Sequence, residues 1–367
     1  MKHNRFNGLD HLRAVAIILV LLYHYRAFKH PDWVETIGRY GWTGVDLFFV
    51  LSGFLISNQL FKEIHEDGTI RLKVFFTKRF FRIIPPFAFT LLLYLCFPFF
   101  REREALPSLW KFLTFTQNYG LDVINTGTFS HAWSLCIEEQ FYLVLPYILL
   151  LFIKTGWLTK RKYVLVVPLV ISLLLRIFSW NYFIVPALDS DRFWKVWYMY
   201  IYYPTHTRLD SLTIGVWIGF LYNYSSAFKH IIHANGLLFF FSGMGMLLLS
   251  FWMCYDQASE IASVLGFTCV GMAYGLLVIA AISDSCFISN KAFVGTRELA
   301  DLSFAVYLSH KGIIHIIQSV TRPMNFSENQ LLVLCLIGCL AAGLLYRYAI
   351  EQPSARVKNQ LLNQNKR

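Results

Sequence analysis

Charge is scarce in this sequence: 15% of its 367 residues are Asp, Glu, Lys or Arg, where soluble domains carry about 25%. With 56% hydrophobic residues and a mean hydropathy of +0.48, that shortage excludes a water-soluble globule, a disordered chain and a coiled coil. The seven cysteines include no C-x-x-C pair, so the usual zinc frameworks are excluded and no metal site is expected. They fall mostly in apolar runs and read as small core residues. No A-x-A cleavage site follows the first apolar stretch, which also carries Arg13 and His24. That stretch therefore reads as part of the mature chain and not as a signal peptide. Polar linkers, low-complexity tracts and inverted repeats of the transporter kind are missing as well. The formal charge is +11, but no basic stripe alternates with stacking aromatics on a polar surface, so nucleic acid is not an expected partner.

What is abundant is apolar sequence of bilayer length. A helix crossing the roughly 30 Å hydrocarbon core needs about 20 mostly apolar residues. Ten stretches qualify: 12–29, 41–61, 83–100, 132–153, 163–180, 204–222, 235–254, 259–282, 300–319 and 330–350. Counted over alternate loops, twenty Lys and Arg fall on one side, among them Lys2, Arg5, Lys78, Arg79, Arg82, Lys366 and Arg367, and eight on the other. Cytoplasmic loops hold the positive excess. The expected architecture is thus an all-α, polytopic membrane helix bundle of about ten transmembrane helices with both termini cytoplasmic. One membrane domain over 1–353 is followed by a short tail, 354–367. Gly215/Gly219 and Gly271/Gly275 have the G-x-x-x-G spacing that lets helices approach closely, either within the chain or between copies.

An ionisable side chain at bilayer depth costs about 2.5–3.5 kcal/mol on insertion scales, so each needs a partner, a water-filled cavity or a task. Arg13 and His24 are eleven residues apart in the first stretch. At about 100° and 1.5 Å per residue they share a helix face and stand about 16 Å apart along the axis. The second stretch carries Asp46; the fourth carries His131, Trp133, Glu138 and Glu139; the sixth Arg208 and Asp210; the ninth His310, Lys311 and His315. Buried ion pairs fixing helix register account for Asp46, Arg208 and Asp210 about as well as a functional role does. For His24, facing the same way as an arginine, a general base is the better reading.

Taken in order, LDHLRAVAIILVLLYHY, GVDLFFVLSGFLIS, KRFFRIIPP, HAWSLCIEEQFYLVLP, RLDSLTIG, FAVYLSH and YRYAIEQPSAR resemble the acyltransferase family 3 membrane proteins. The resemblance spans nearly the whole chain. It implies transfer of an acyl group, usually acetyl, from cytoplasmic acyl-CoA to a hydroxyl of an extracytoplasmic glycan, in the cytoplasmic (inner) membrane of a bacterium. The family's Arg and His with ten residues between them match Arg13 and His24, and its basic stretch ending in Arg-Ile-x-Pro matches Lys78, Arg79, Arg82 and Pro85. With seventeen residues after Ile350, the resemblance is to single-domain members that acylate O-antigen or exopolysaccharide, without a fused SGNH hydrolase-like domain.

Acyl transfer from a thioester needs a base for the hydroxyl proton. His24 is the candidate, with Glu138 or Glu139 supporting the imidazolium, and Asp46 and Asp210 as further acidic candidates. CoA phosphates call for Arg13, Lys78, Arg79, Arg82 and Arg208; acetyl-CoA is the expected co-substrate. His131, Trp133 and His310 are candidates for acceptor binding. No nucleophile stands out beside His24 in the sequence, which favours direct transfer without a covalent acyl-enzyme. The rival is a proton-coupled transporter or flippase, since intramembrane Asp, Glu and His also build proton relays.

Overall fold

The structure, a computed structural model, describes residues 6–291 and 293–364. Lys2, Arg5, Lys366 and Arg367, which entered the charge count, lie outside the described residues. Every regular element among the described residues is helical. Ten helices carry the architecture: α1 (Asn7–Tyr25), α2 (Thr43–Asp67), α3 (Leu72–Cys96), α4 (Trp133–Thr155), α5 (Val167–Ser179), α6 (Leu209–Tyr224), α7 (Gly236–Met253), α8 (Phe267–Ala281), α9 (Thr296–Thr321) and α10 (Glu328–Tyr346). A π-turn, Arg347–Glu351, leads from α10 into α11 (Gln352–Gln364).

Among the described residues, eight helical segments are long and apolar enough to cross a bilayer. The two expected stretches outside that set are α6 and α9, and the reasons differ. Helix α9 carries Arg297, Glu298, Asp301 and Lys311 along its length. Helix α6 has only 16 residues, because Pro204 starts a 3₁₀ turn, Thr205–Thr207, and Arg208 takes a non-helical φ of −131°. The expected stretch 204–222 therefore becomes helix only from Leu209, and Asp210 lies in the first turn, where the helix dipole favours a carboxylate. Helix α3 begins well before residue 83, so Lys78, Arg79 and Arg82 are on the helix itself.

Contacts divide the chain into two units. The first holds the chain up to Ala16, Thr43–Ile70 and Ala105–Arg297. In it α2 and α6 pack at their glycines: a Cβ on Gly215 would strike the Val50 carbonyl and the Phe54 backbone, and one on Gly219 would strike Ser57. Gly271 and Gly275 likewise lie against Ser211 and Ile214 of α6. Both G-x-x-x-G pairs thus serve packing within the chain. The second unit holds Ile17–Trp42, Arg71–Glu104 and the chain from Glu298 onward. There Gly338 and Gly343 of α10 meet Ile317 and Val306 of α9, and the Tyr346 hydroxyl is 3.0 Å from Thr90 Oγ1 of α3.

Candidate active site

In the second unit, the C-terminal end of α1 brings His24 to α9. His24 Nδ1 is 3.0 Å from His310 Nε2, and the rings meet at 44° with centroids 4.9 Å apart. That tilt suits a nitrogen-to-nitrogen hydrogen bond rather than stacking. His310 is fully buried. Its Nδ1 lies 2.8 Å from the carbonyl oxygen of Tyr307, one turn back on the same helix. The next residue, Lys311, forms a 2.9 Å ion pair with Glu102 from the segment after α3. Burial would push the Glu102 carboxyl up, but the Lys311 ammonium and its hydrogen bond outweigh this and hold it below the usual value. Gly312 lets the ring of Phe100, two residues before Glu102, press on α9.

A strap follows His24. Arg26 is paired with Glu35 through two hydrogen bonds, and the Gln318 amide donates to the Tyr25 hydroxyl at 3.1 Å and the Lys29 carbonyl at 2.9 Å. Trp33 Nε1 donates to Asn329 Oδ1 at 3.0 Å. The chain leaving α1 is thereby tied to α9 and to the start of α10. On α3 of the same unit, Lys78, Arg79 and Arg82 occupy neighbouring positions on two successive turns, a spacing that presents several cations to one polyanion.

The first unit holds a buried charge cluster. Arg208 Nη2 donates to both carboxylate oxygens of Asp46 at 2.9 Å, and Ser211 Oγ donates to Asp46 Oδ1 at 3.0 Å. Arg176 Nη1 donates to Asp210 Oδ2 at 2.9 Å and to the Thr207 carbonyl at 2.7 Å. Its Nε takes the Val264 carbonyl at 3.0 Å, which belongs to a π-turn, Ala262–Gly266. All four charged side chains have no solvent exposure. The guanidinium of Arg208 lies 3.8 Å from the Phe267 ring centroid, 5.0 Å from that of Tyr202 and 5.6 Å from that of Trp133. Among the described residues its Nε and Nη1 have no hydrogen-bond acceptor, so the aromatic faces supply the compensation.

Also in the first unit, Glu138 accepts from the Tyr142 hydroxyl at 3.0 Å, and that hydroxyl pairs with Ser52. Glu139 is the next residue along α4. His131 is buried, with its ring edge-on to Phe129 at 5.1 Å, and Trp133 covers Arg208. Arg13 is 3.7 Å from Asp10 on α1. The structure thus brings together Asp46 with Arg208 and His24 with His310, while Arg13 and His24 fall in different units of the chain. Two participants escaped the sequence reading. Arg176 could have been singled out as a lone arginine inside an apolar stretch; Glu102 carried no signal except that Lys311 called for a counter-charge.

The family model for the acyltransferase domain matches residues 6–347. The peptidoglycan O-acetyltransferase OatA of Listeria monocytogenes is 28% identical over 342 residues, covering 86% of this chain and 51% of that protein. A putative O-acetyltransferase of Staphylococcus aureus strain COL is 26% identical over 388 residues, covering 97% of this chain and 58% of its own length. The O-acetyltransferase OatA of S. aureus strain NCTC 8325 is 28% identical over 369 residues, covering 94% and 56%. The chain spans little more than half the length of these relatives. No solved structure matches it. The matched region includes His24 and His310, the basic turns of α3 and both buried ion pairs, and on that match the chain belongs to acyltransferase family 3.

Proposed function

We propose that this protein is a membrane O-acyltransferase that moves an acyl group, acetyl in the simplest case, from acyl-CoA to a hydroxyl of an extracytoplasmic glycan, in the cytoplasmic membrane of a bacterium. O-antigen and exopolysaccharide are candidate acceptors, and the name of the Listeria relative adds peptidoglycan. Family membership supports the reaction class. The observation that carries the assignment of a base is the imidazole pair His24–His310, joined at 3.0 Å beside the Lys311–Glu102 ion pair.

In the proposed reaction His24 takes the proton from the acceptor hydroxyl as its oxygen attacks the thioester carbonyl. The tetrahedral oxyanion collapses, the carbon–sulfur bond breaks, and the proton on His24 returns to the departing CoA thiolate. The products are the glycan ester and free CoA. A positioned base of this kind contributes about 10²- to 10⁴-fold in rate. Lys78, Arg79 and Arg82 are the residues we assign to the CoA phosphates, since guanidinium and ammonium groups suit phosphate oxygens. Arg13, on the helix that carries His24, is a further donor-binding candidate.

The test measures alkali-labile acyl groups on surface glycans, identified by mass, in cells expressing wild type or His24→Ala at equal membrane levels and supplied with labelled acyl precursor. Label that appears with wild type and disappears with the variant is the expected result. Equal labelling in both would remove His24 as base. Glycan export without any acyl-CoA consumption would replace the transferase reading with that of a transporter.

A further inference from the structure

We propose that His310 is a positioning residue that fixes His24 in its Nδ1–H tautomer and so makes His24 Nε2 the nitrogen that takes the acceptor proton. This rests on the reading of His24 as base. The Tyr307 carbonyl can only accept, so His310 Nδ1, 2.8 Å away, carries a hydrogen. A neutral imidazole has one N–H, which leaves His310 Nε2 as a lone pair. That lone pair faces His24 Nδ1 at 3.0 Å. Two lone pairs at this distance would repel, so His24 Nδ1 carries the hydrogen and Nε2 is its basic nitrogen.

The opposite direction requires His310 to be an imidazolium, donating from both nitrogens. A second positive charge would then be fully buried one residue from the Lys311 ammonium, whose carboxylate partner Glu102 is already engaged at 2.9 Å. Burying an additional charge there is the costlier state. When His24 Nε2 gains a proton, the Nδ1–H bond to His310 becomes charge-assisted and shortens, which stabilises the imidazolium just as it forms. His310 thus plays towards His24 the part that an orienting third group plays in other base-activated sites. Sequence alone placed it among acceptor-binding candidates; the task proposed here is on the base.

Two readouts test the assignment. In His310→Gln the amide oxygen can still accept from His24 Nδ1; in His310→Leu that side-chain partner is lost and the Val20 carbonyl, one turn back on α1, is the acceptor left beside the ring. Loss of the tautomer-setting partner in a serine-protease triad costs about 10⁴ in kcat. With a neutral partner here, His310→Leu should lower kcat by about 10- to 100-fold at unchanged KM for acyl-CoA, and His310→Gln should remain within about fivefold of wild type. Wild-type kcat in His310→Leu, or equal loss in both variants at normal membrane levels, overturns the proposal. If either variant fails to accumulate, ¹⁵N spectra of ring-labelled histidine in the wild-type protein decide, with His24→Ala used to assign the signals. His24 should show a protonated Nδ1 and a bare Nε2, and the reverse pattern overturns the proposal. The spectrum reports the tautomer whether or not His24 is the base, so failure here is separable from failure of the reading beneath it.

Discussion

Replacing Asp46 with Asn keeps the shape of the side chain and removes its charge, leaving the Arg208 guanidinium without a carboxylate in a place no water reaches. Both Asp46 oxygens accept from Arg208 Nη2 at 2.9 Å, and one also accepts from Ser211. Breaking a buried pair by removing one partner costs about 3–5 kcal/mol. The rings of Phe267, Tyr202 and Trp133 over Arg208 return part of this, since a desolvated cation–π contact is worth about 2 kcal/mol. A net loss of about 1–3 kcal/mol remains, a factor of roughly 5 to 150 in the folded-to-unfolded ratio. In Asp46→Asn/Arg208→Met the orphaned charge is gone and an apolar chain of similar length takes its place, so the double variant should recover most of the loss. The assay is the fraction of detergent-solubilised protein that stays monodisperse after graded heating. A single variant as stable as wild type, or a double variant no better than the single, would refute the reasoning. Acyl transfer lost by the double variant at wild-type stability would instead show that the cluster has a task beyond holding helices.

Gly215→Ala should lower thermal stability sharply, because the added methyl meets backbone of α2 that cannot yield without parting two helices, whereas Gly245→Ala meets open space and should be neutral; heating curves of the two variants check this. Glu102→Gln removes the negative charge beside Lys311 and should lower transferase activity by a constant factor from pH 5 to 8. The Glu102 carboxyl is held below its ordinary value, so its contribution is complete above about pH 4.3 and is lost only as pH falls through the lower folded value; a gap between wild type and variant that changes across pH 5–8 would contradict this. Asp122 is bound by Lys195 at 2.7 Å. Burial opposes ionisation there, but Lys195 and Asn125 pull the Asp122 carboxyl down to about 2. The bridge should therefore persist from neutral pH to below 4 and open as pH approaches 2, while Asp122→Asn should make Lys195 a faster trypsin site at neutral pH.

Much of this protein was legible because bilayer-length apolar runs leave few alternatives to helices, and because glycines at a spacing of four mark close approach. The positions of Arg13 and His24 on one helix followed from periodicity alone. The pairing of charges did not. Asp210 stands two residues from Arg208, yet Arg176 claims it, while Arg208 turns to Asp46; the choice is made where α2, α5, α6 and α8 meet and leaves no trace in local sequence. Helix α6 starts late because Pro204 and the Arg208 backbone interrupt an apolar run that hydropathy reads as continuous. Glu102 lies in a loop whose charge looked unremarkable until α9 was seen to need it. His310 looked like a polar residue lining a site, and only the 3.0 Å approach to His24 assigned it a partner.

The separation of Asp46 and Arg208 by 162 residues has a meaning for biosynthesis. At about 5–20 residues per second, a ribosome needs some 8–30 s after making Asp46 before Arg208 exists. For that interval the Asp46 carboxyl of α2 lacks the guanidinium it pairs with in the finished protein. The pair thus links the second helix to the sixth in time as well as in space: a chain that stops before α6 has an acid in α2 without the guanidinium that meets it in the finished protein.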